Sequence, residues 1–255
     1  ALATLLNNLP DPIDMTAAIA AYDRITRILA LKLRRNWLDW LEAAPQPGSP
    51  KYSVKDAGIR RLRGLAAKTL ALFEDDAYRQ QLLEKHNNAD NMTVRINVLH
   101  ALNTRHDQYR EAALAAYYER YRAQPLVVDK WFAIQAKDES EGALERITAL
   151  AEHPDFHVDN PNRFRALVGT LMQANPTIFH AADGSGYRFV AGQIRRVLLS
   201  NPQIAARMLN GYAIVSRMDS VRKALVKTEL EALAAVENIS IDVREVLERL
   251  QRGLT

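Results

Sequence analysis

Apolar residues recur along this chain at intervals of three and four. Ile13, Ala17, Ala20, Ala21, Ile25, Ile28, Leu29, Leu33, Trp37 and Leu41 keep that spacing over many turns, as residues on one face of an α-helix must. Asp11-Pro12 stands before the run. A capping side chain followed by a residue with helical φ predicts the helix start there. Pro45-Gln46-Pro47-Gly48-Ser49-Pro50 breaks the pattern and is the one Pro/Gly-rich linker of the sequence. Ile59, Leu62, Leu65, Ala66, Thr69, Leu70 and Phe73 then mark a second helical face, with Ser53 or Asp56 as its cap.

Shorter elements follow. Asp75 opens a helix to about His86, residues 87–93 form a polar break with capping side chains, and Val94 to Leu102 resume the period. Asp107 starts a helix bearing Tyr109, Leu114, Tyr117, Tyr118 and Tyr121, and Pro125 is expected to stop it. Residues 126–134 cluster β-branched and aromatic side chains, as a strand would. Val128, Trp131, Phe132 and Gln135 nevertheless share a helical face and no partner strand is evident, so helix is predicted. Ser140 with Glu141 opens 143–151. Asn160-Pro161, Asn175-Pro176 and Asn201-Pro202 are three more cap-plus-Pro starts. The last two helices run near 219–236 and 240–252.

About a dozen short helices with brief polar connections predict an all-α fold. The expected architecture is a superhelical array of antiparallel helix pairs, an α-solenoid of armadillo or HEAT type, in which each pair buries its face on its neighbours. It is expected as a single domain over 1–255, with 1–50 as an N-terminal helical segment and linker and 51–255 as the superhelix. The irregular spacing of the Asn-Pro starts gives no consensus period.

Composition narrows the function. With no cysteine, disulfides and Cys-ligated metal sites are excluded. That fits a reducing compartment, and a cytoplasmic location is expected. No apolar run approaches the ~20 residues of a membrane span. The start Ala1-Leu2-Ala3-Thr4 lacks an initiator Met and a basic leader, which reads as a cut from a longer polypeptide. A net charge of +4, from 34 basic and 30 acidic residues, is a mild excess that suits a cavity attracting carboxylates or weak nucleic-acid binding, and is not the balance of a dedicated DNA-binding module.

Candidate chemistry is sparse. His153 and His157 are spaced i, i+4, but Pro154 stands where a zincin motif needs its glutamate, so they read as loop histidines. Gly184-Ser185-Gly186 lacks the Lys of a phosphate loop and the first glycine of a nucleophile elbow, which is Ala182 here. It reads as a turn into the next helix. Arg60-Arg61-Leu62-Arg63 and Arg195-Arg196 read as solvated faces. Arg163 and Arg165 flank Phe164 after one Asn-Pro start, and Arg207 follows another. Two readings stand for these: ion pairs with some of the acids, or cations on neighbouring repeats that face one concave surface and bind a peptide carboxylate.

Particular residues from Asn87 onward carry a resemblance. Asn87-Asn88, Asn91-Met92-Thr93, Val128-Asp129-Lys130-Trp131-Phe132, Asn160 through Gly169, Asn175-Pro176, Phe179-His180, Asp183 through Tyr187 and Asn201 through Arg207 occur in this order. Together they resemble the C-terminal domain of bacterial aminopeptidase N, of the zinc gluzincin class, strongly from about residue 54 to 240 and more loosely before. The resemblance implies an all-α superhelical domain that caps the catalytic domain, closes a cavity over its active site and controls peptide access. Those enzymes remove N-terminal residues from peptides with one zinc. Their zinc set, H-E-x-x-H plus a distant Glu, and their amine-holding G-x-M-E-N segment are missing from this sequence. No catalytic or metal residue therefore transfers, and the chain alone is expected to be inactive. Arg165 and Arg207 match the family's cavity-facing arginines near the substrate's C-terminal side. The implied partners are the catalytic domain of the same polypeptide and peptide substrates, with no nucleic acid and no membrane. The alternative is a free-standing α-solenoid scaffold that binds proteins on its concave face.

Overall fold

A computed structural model describes residues 2–43, 53–73 and 75–254; the predicted linker at 45–50 lies outside them. The helices are α1 (Leu2–Asn7), α2 (Met15–Lys32), α3 (Arg34–Ala43), α4 (Val54–Leu70), α5 (Asp76–Asn87), α6 (Met92–Leu102), α7 (Gln108–Tyr121) and α8 (Pro125–Gln135). They continue with α9 (Ala143–Leu150), α10 (Pro161–Phe164), a π turn (Arg165–Gly169), α11 (Thr170–Ala174), α12 (Pro176–Phe179) and α13 (Ser185–Val197). The series ends with α14 (Pro202–Leu209), a 3₁₀ run (Asn210–Arg217), α15 (Ser220–Ala234) and α16 (Ile241–Arg252). Among the described residues there is no strand, only an isolated bridge between Ile13 and Met218. The all-α prediction holds, and the tempting strand at 126–134 is helix α8.

The helices cluster into two compact units, one of Asp23–Ile134 and one of Ala1–Tyr22 with Gln135–Thr255. In the first, α4 to α7 start on side-chain caps. Ser53, Asp75, Asn91 and Asp107 accept the amides of Asp56, Tyr78, Val94 and Tyr109 with Arg110. The last three caps are evenly spaced, at 75, 91 and 107, a local regularity hidden by the uneven Asn-Pro starts further on. α6 packs against α4 and α5, and α5 against α7. Leu99, Leu102, Tyr117 and Phe132 are fully buried there, each worth about 1.5–3 kcal/mol of transfer free energy.

In the second unit, α13 packs on α14 and α15, and α14 on α16. Phe179, Tyr187 and Tyr212 meet in the core with ring centroids 5.3–6.0 Å apart. The N-terminal segment is tied in by two arginines. Arg217 donates to the Asp11 carboxylate (2.8 Å) and the Leu9 carbonyl (2.7 Å), and Arg222 donates to the Thr16 hydroxyl (2.7 Å).

Four local expectations are corrected. Asp11-Pro12 does not start α2. Its carboxylate is taken by Arg217, and Asp14 accepts the Ala17 amide instead (2.9 Å). The long first helix is interrupted at Leu33. The bonds from Leu33 to Leu29 and from Trp37 to Leu33, both 3.0 Å, persist, so the ladder is perturbed there and α3 follows at once. Pro125 begins α8 rather than ending α7, since a residue without an N–H fits the first helical turn. Ser140 does not cap α9: its hydroxyl is bonded to Asp138 (2.5 Å), and Gly142, with φ 72°, stands at the cap.

Candidate functional site

The segment with the candidate arginines is built on the three Asn-Pro starts. Asn160 accepts the amides of Asn162 (3.0 Å) and Arg163 (3.3 Å), Asn175 that of Ile178 (3.1 Å), and Asn201 that of Ile204 (3.2 Å). Asn175 is wholly buried. Its NH₂ also donates to the carbonyls of Ala136 (3.1 Å) and Asp138 (2.7 Å), so one side chain both starts α12 and anchors it.

Between α10 and α11 the helix widens into the π turn Arg165–Gly169, where the Thr170 amide donates back to the Arg165 carbonyl. Such a turn inserts a residue, re-aims the side chains beside it and recurs at functional sites. Arg165 opens it. The side chain is half-buried, and its guanidinium donates to Asn162 Oδ1, a neutral partner. Arg207, in the last turn of α14, is exposed and makes no hydrogen bond or ion pair among the described residues. Neither arginine pairs with an acid there. Gly169 brings their elements together: a Cβ at Gly169 would lie 3.6 Å from Arg165 Cβ and 3.7 Å from Sδ of Met208, the neighbour of Arg207. Arg163 is different. It is buried and donates to the Asp155 carbonyl, so it holds a loop.

A second polar cluster lies in the core of the same unit. Tyr187 Oη and His180 Nδ1 are 2.8 Å apart. Arg222 donates to the His180 carbonyl from Nε (3.2 Å) and Nη2 (3.1 Å), and from Nη1 to Asp219 (2.7 Å). Burial, reinforced by the nearby Arg222 cation, pushes the His180 imidazole down to about 3. It is therefore neutral at ordinary pH and accepts from the Tyr187 hydroxyl, whose own ionisation burial pushes up. The cluster is closed by protein groups on every side that is bonded, which makes it a structural tie.

The remaining sequence candidates are placed simply. His153 and His157 lie in the loop after α9, and His153 Nδ1 accepts the Asp155 amide (3.1 Å). Among the described residues no three His, Asp or Glu side chains are placed to hold a metal, and no helix is long and apolar enough to cross a membrane. Gly184 has φ 73°, a conformation that favours glycine, and leads into α13, with Ser185 bonded to Asp183 Oδ1 (2.7 Å). Gly186 allows a close approach: a Cβ there would fall 2.1 Å from the Ile178 carbonyl oxygen.

The sequence reading missed a recurring device. A buried arginine follows five helix caps by three or four residues: Asp75 and Arg79, Asn91 and Arg95, Asp107 and Arg110, Asn160 and Arg163, Asp219 and Arg222. Four of the five donate to main-chain carbonyls of other segments, among them Leu102, His86, Asp155 and His180. Arginine suits carbonyl-rich helix ends because several N–H donors and a cation meet the negative end of the dipole. The signal was present as an arginine three or four residues after a capping side chain, but it is visible only once the caps are known.

A family model described as a domain of unknown function (DUF3458_C) with ARM repeats matches residues 2–252. Aminopeptidase N of Haemophilus influenzae is 39% identical over 200 residues, which cover 78% of this chain and 23% of that protein. Aminopeptidase N of Caulobacter vibrioides is 38% identical over 193 residues, 76% of this chain and 22% of that one. Aminopeptidase N of Escherichia coli K12 is 32% identical over 241 residues, 94% and 27% of the two chains. The crystal structure of Legionella pneumophila aminopeptidase A in complex with aspartic acid superposes with a TM-score of 0.87 at 27% identity, covering 99% of this chain and 30% of that one. The chain thus spans about a quarter of the length of these relatives.

Proposed function

This chain belongs to the ARM-repeat family that forms the C-terminal domain of aminopeptidase N, and on that footing we propose that it is the non-catalytic cap of a zinc-dependent, cytoplasmic aminopeptidase. In this reading the domain closes over the active-site cavity formed by the rest of the polypeptide and controls which peptides enter. Arg165 and Arg207 face that cavity and bind the C-terminal carboxylate of the substrate.

The observation that carries the reading is a pair of arginines without acidic partners on adjacent elements, one of them opening a π turn. A guanidinium not already committed to a carboxylate can accept one from a ligand through two parallel hydrogen bonds. Arg165 is partly pre-organised by Asn162, which lowers the entropy lost when a peptide end docks. Zinc, where bound in such an enzyme, polarises the scissile carbonyl and activates water. In this reading its ligands belong to the catalytic part of the polypeptide, the zinc-ligand motif being one that this sequence does not carry.

The test uses the full-length aminopeptidase. Arg165→Ala is expected to raise KM for peptides with a free C-terminus about 10- to 100-fold, the equivalent of one charge-assisted hydrogen-bonded contact. KM for single-residue anilides should stay near wild type. An equal effect on both substrate types would show that Arg165 acts through the fold alone.

A further inference from the structure

The positive charge of this chain is concentrated in one stretch. From Asn160 to Met218 there are seven arginines, no lysine and one acid, Asp183. The remaining residues carry 27 basic and 29 acidic side chains, so the net charge of +4 arises in this stretch alone. Arg196 and Arg217 are paired with acids from outside it, Glu152 and Asp11. Arg163 and Arg188 donate to carbonyls. Arg165 and Arg207 keep their charge uncompensated by any acid among the described residues, and a third arginine joins them from further along the chain. Arg249, in the last turn of α16, donates from Nη2 to Asn210 Oδ1. The Asn210 amide itself folds back along α14, its Nδ2 donating to the Ala206 carbonyl (2.9 Å). The Arg249 guanidinium is thereby held beside the turn of α14 that carries Arg207, three residues before Asn210 and on the same helical face. Its partner is neutral, and it makes no ion pair among the described residues. The same edge continues towards Arg165. Gly169 of the π turn faces Met208, and the Met172 methyl of α11 lies 2.3 Å from where a Cβ at Gly211 would fall.

Three such guanidiniums are more than one peptide end can use. A carboxylate offers about four acceptor sites, and two bidentate forks fill them. We propose that Arg249, held by Asn210 beside Arg207, forms a second anion subsite that takes the side-chain carboxylate of an acidic C-terminal residue. The proposal rests on the reading of Arg165 and Arg207 as the peptide-end site and adds a substrate class to it, peptides ending in glutamate or aspartate. The two carboxylates of such a residue are joined by a short flexible chain, which lets them settle on neighbouring turns of one helix edge. A cation in the last turn of α16 also suits the helix dipole. The dipole does not account for a fork anchored on another helix through a neutral amide, with most of its N–H donors left for a ligand.

The experiment uses the full-length aminopeptidase and two tetrapeptides that differ only in a C-terminal alanine or glutamate. KM for the glutamate peptide is expected to be about 3- to 10-fold lower, the scale of one exposed charge-assisted contact. Arg249→Gln should bring the two KM values together by raising that of the glutamate peptide, and Arg249→Lys should restore part of the gap. Added salt should narrow the gap in the wild type. Equal KM values in the wild type, or an equal rise for both peptides in Arg249→Gln, would overturn the subsite. Arg165→Ala raising KM for both peptides, while Arg249→Gln leaves the gap intact, would remove the subsite and keep the peptide-end reading. A gap closed by Arg249→Gln, with both peptides indifferent to Arg165→Ala, would keep the subsite and remove Arg165 from the peptide end.

Discussion

Tyr22, Ile25 and Leu29 on α2 repeat the spacing of Tyr187, Val190 and Ile194 on α13, with closely similar residue types. The first three are 40, 57 and 51% exposed, and the second three are 0% exposed. Both triplets satisfy the helical period equally well, so periodicity identifies a face and leaves open what covers it. α13 is covered because α12, α14 and α15 reach it. Gly186 lets its first turn close onto the Ile178 and Phe179 backbone, where any side chain would collide. Beyond its first turns, where Met15 and Ala18 are buried, α2 buries only Ala30 among the described residues. At about 1.5–3 kcal/mol for each large apolar side chain taken from water, the two faces differ by several kcal/mol in what they contribute to this chain alone.

The largest expected effect lies in the tie beside α13. Arg222→Ala leaves the His180 carbonyl, Thr16 and Asp219 without their donor and should destabilise by about 3–5 kcal/mol, as loss of one partner from a buried charged network does. Urea unfolding checks it, and a loss below about 1 kcal/mol would show the tie to be solvated. The direct break of the comparison is a pair of truncations. Ile194→Ala should cost about 2–5 kcal/mol, while Ile25→Ala in the same 255 residues should stay within about 0.5 kcal/mol. Equal costs would mean that α2 is packed in solution.

The smallest expected effect is a slope. The His180 imidazole lies near 3 when folded and near 6.5 when free. The unfolded chain therefore binds a proton first as pH falls. The stabilisation is complete above pH 6.5 and is lost from there towards pH 3, by up to about 1.4 kcal/mol per pH unit. His180→Asn should be less stable at neutral pH and show a shallower loss between pH 6.5 and 5. An unchanged slope would show that His180 is reached by water.

Much of the fold was legible because its signals are local. Asp75, Asp107, Asn160, Asn175 and Asn201 each cap the helix expected from them, and Asn91 is the cap within the polar break at 87–93, since a cap needs only a side chain and the amide two or three residues on. Asp11-Pro12 carried the same local signal and failed, because Arg217, far along the chain, takes its carboxylate. Of the candidate site, Arg165 and Arg207 were legible as residue types after Asn-Pro starts. The π turn was not, because Phe164, Leu167, Val168 and Leu171 keep the i, i+3, i+4, i+7 spacing of an ordinary helix.

The sequence by itself determined the helices, their starts and the residues that could be cationic or apolar on a face, because those properties depend on neighbours within a turn. Only the tertiary structure decided which faces are covered and which arginines are committed. Arg222 is held by a carbonyl 42 residues back and Arg163 by one in the preceding loop, Arg207 by none among the described residues, and Ile25 faces water where Val190 does not. Burial and charge pairing are set by groups remote in the chain, and the distance between those groups exists only once the helices have packed.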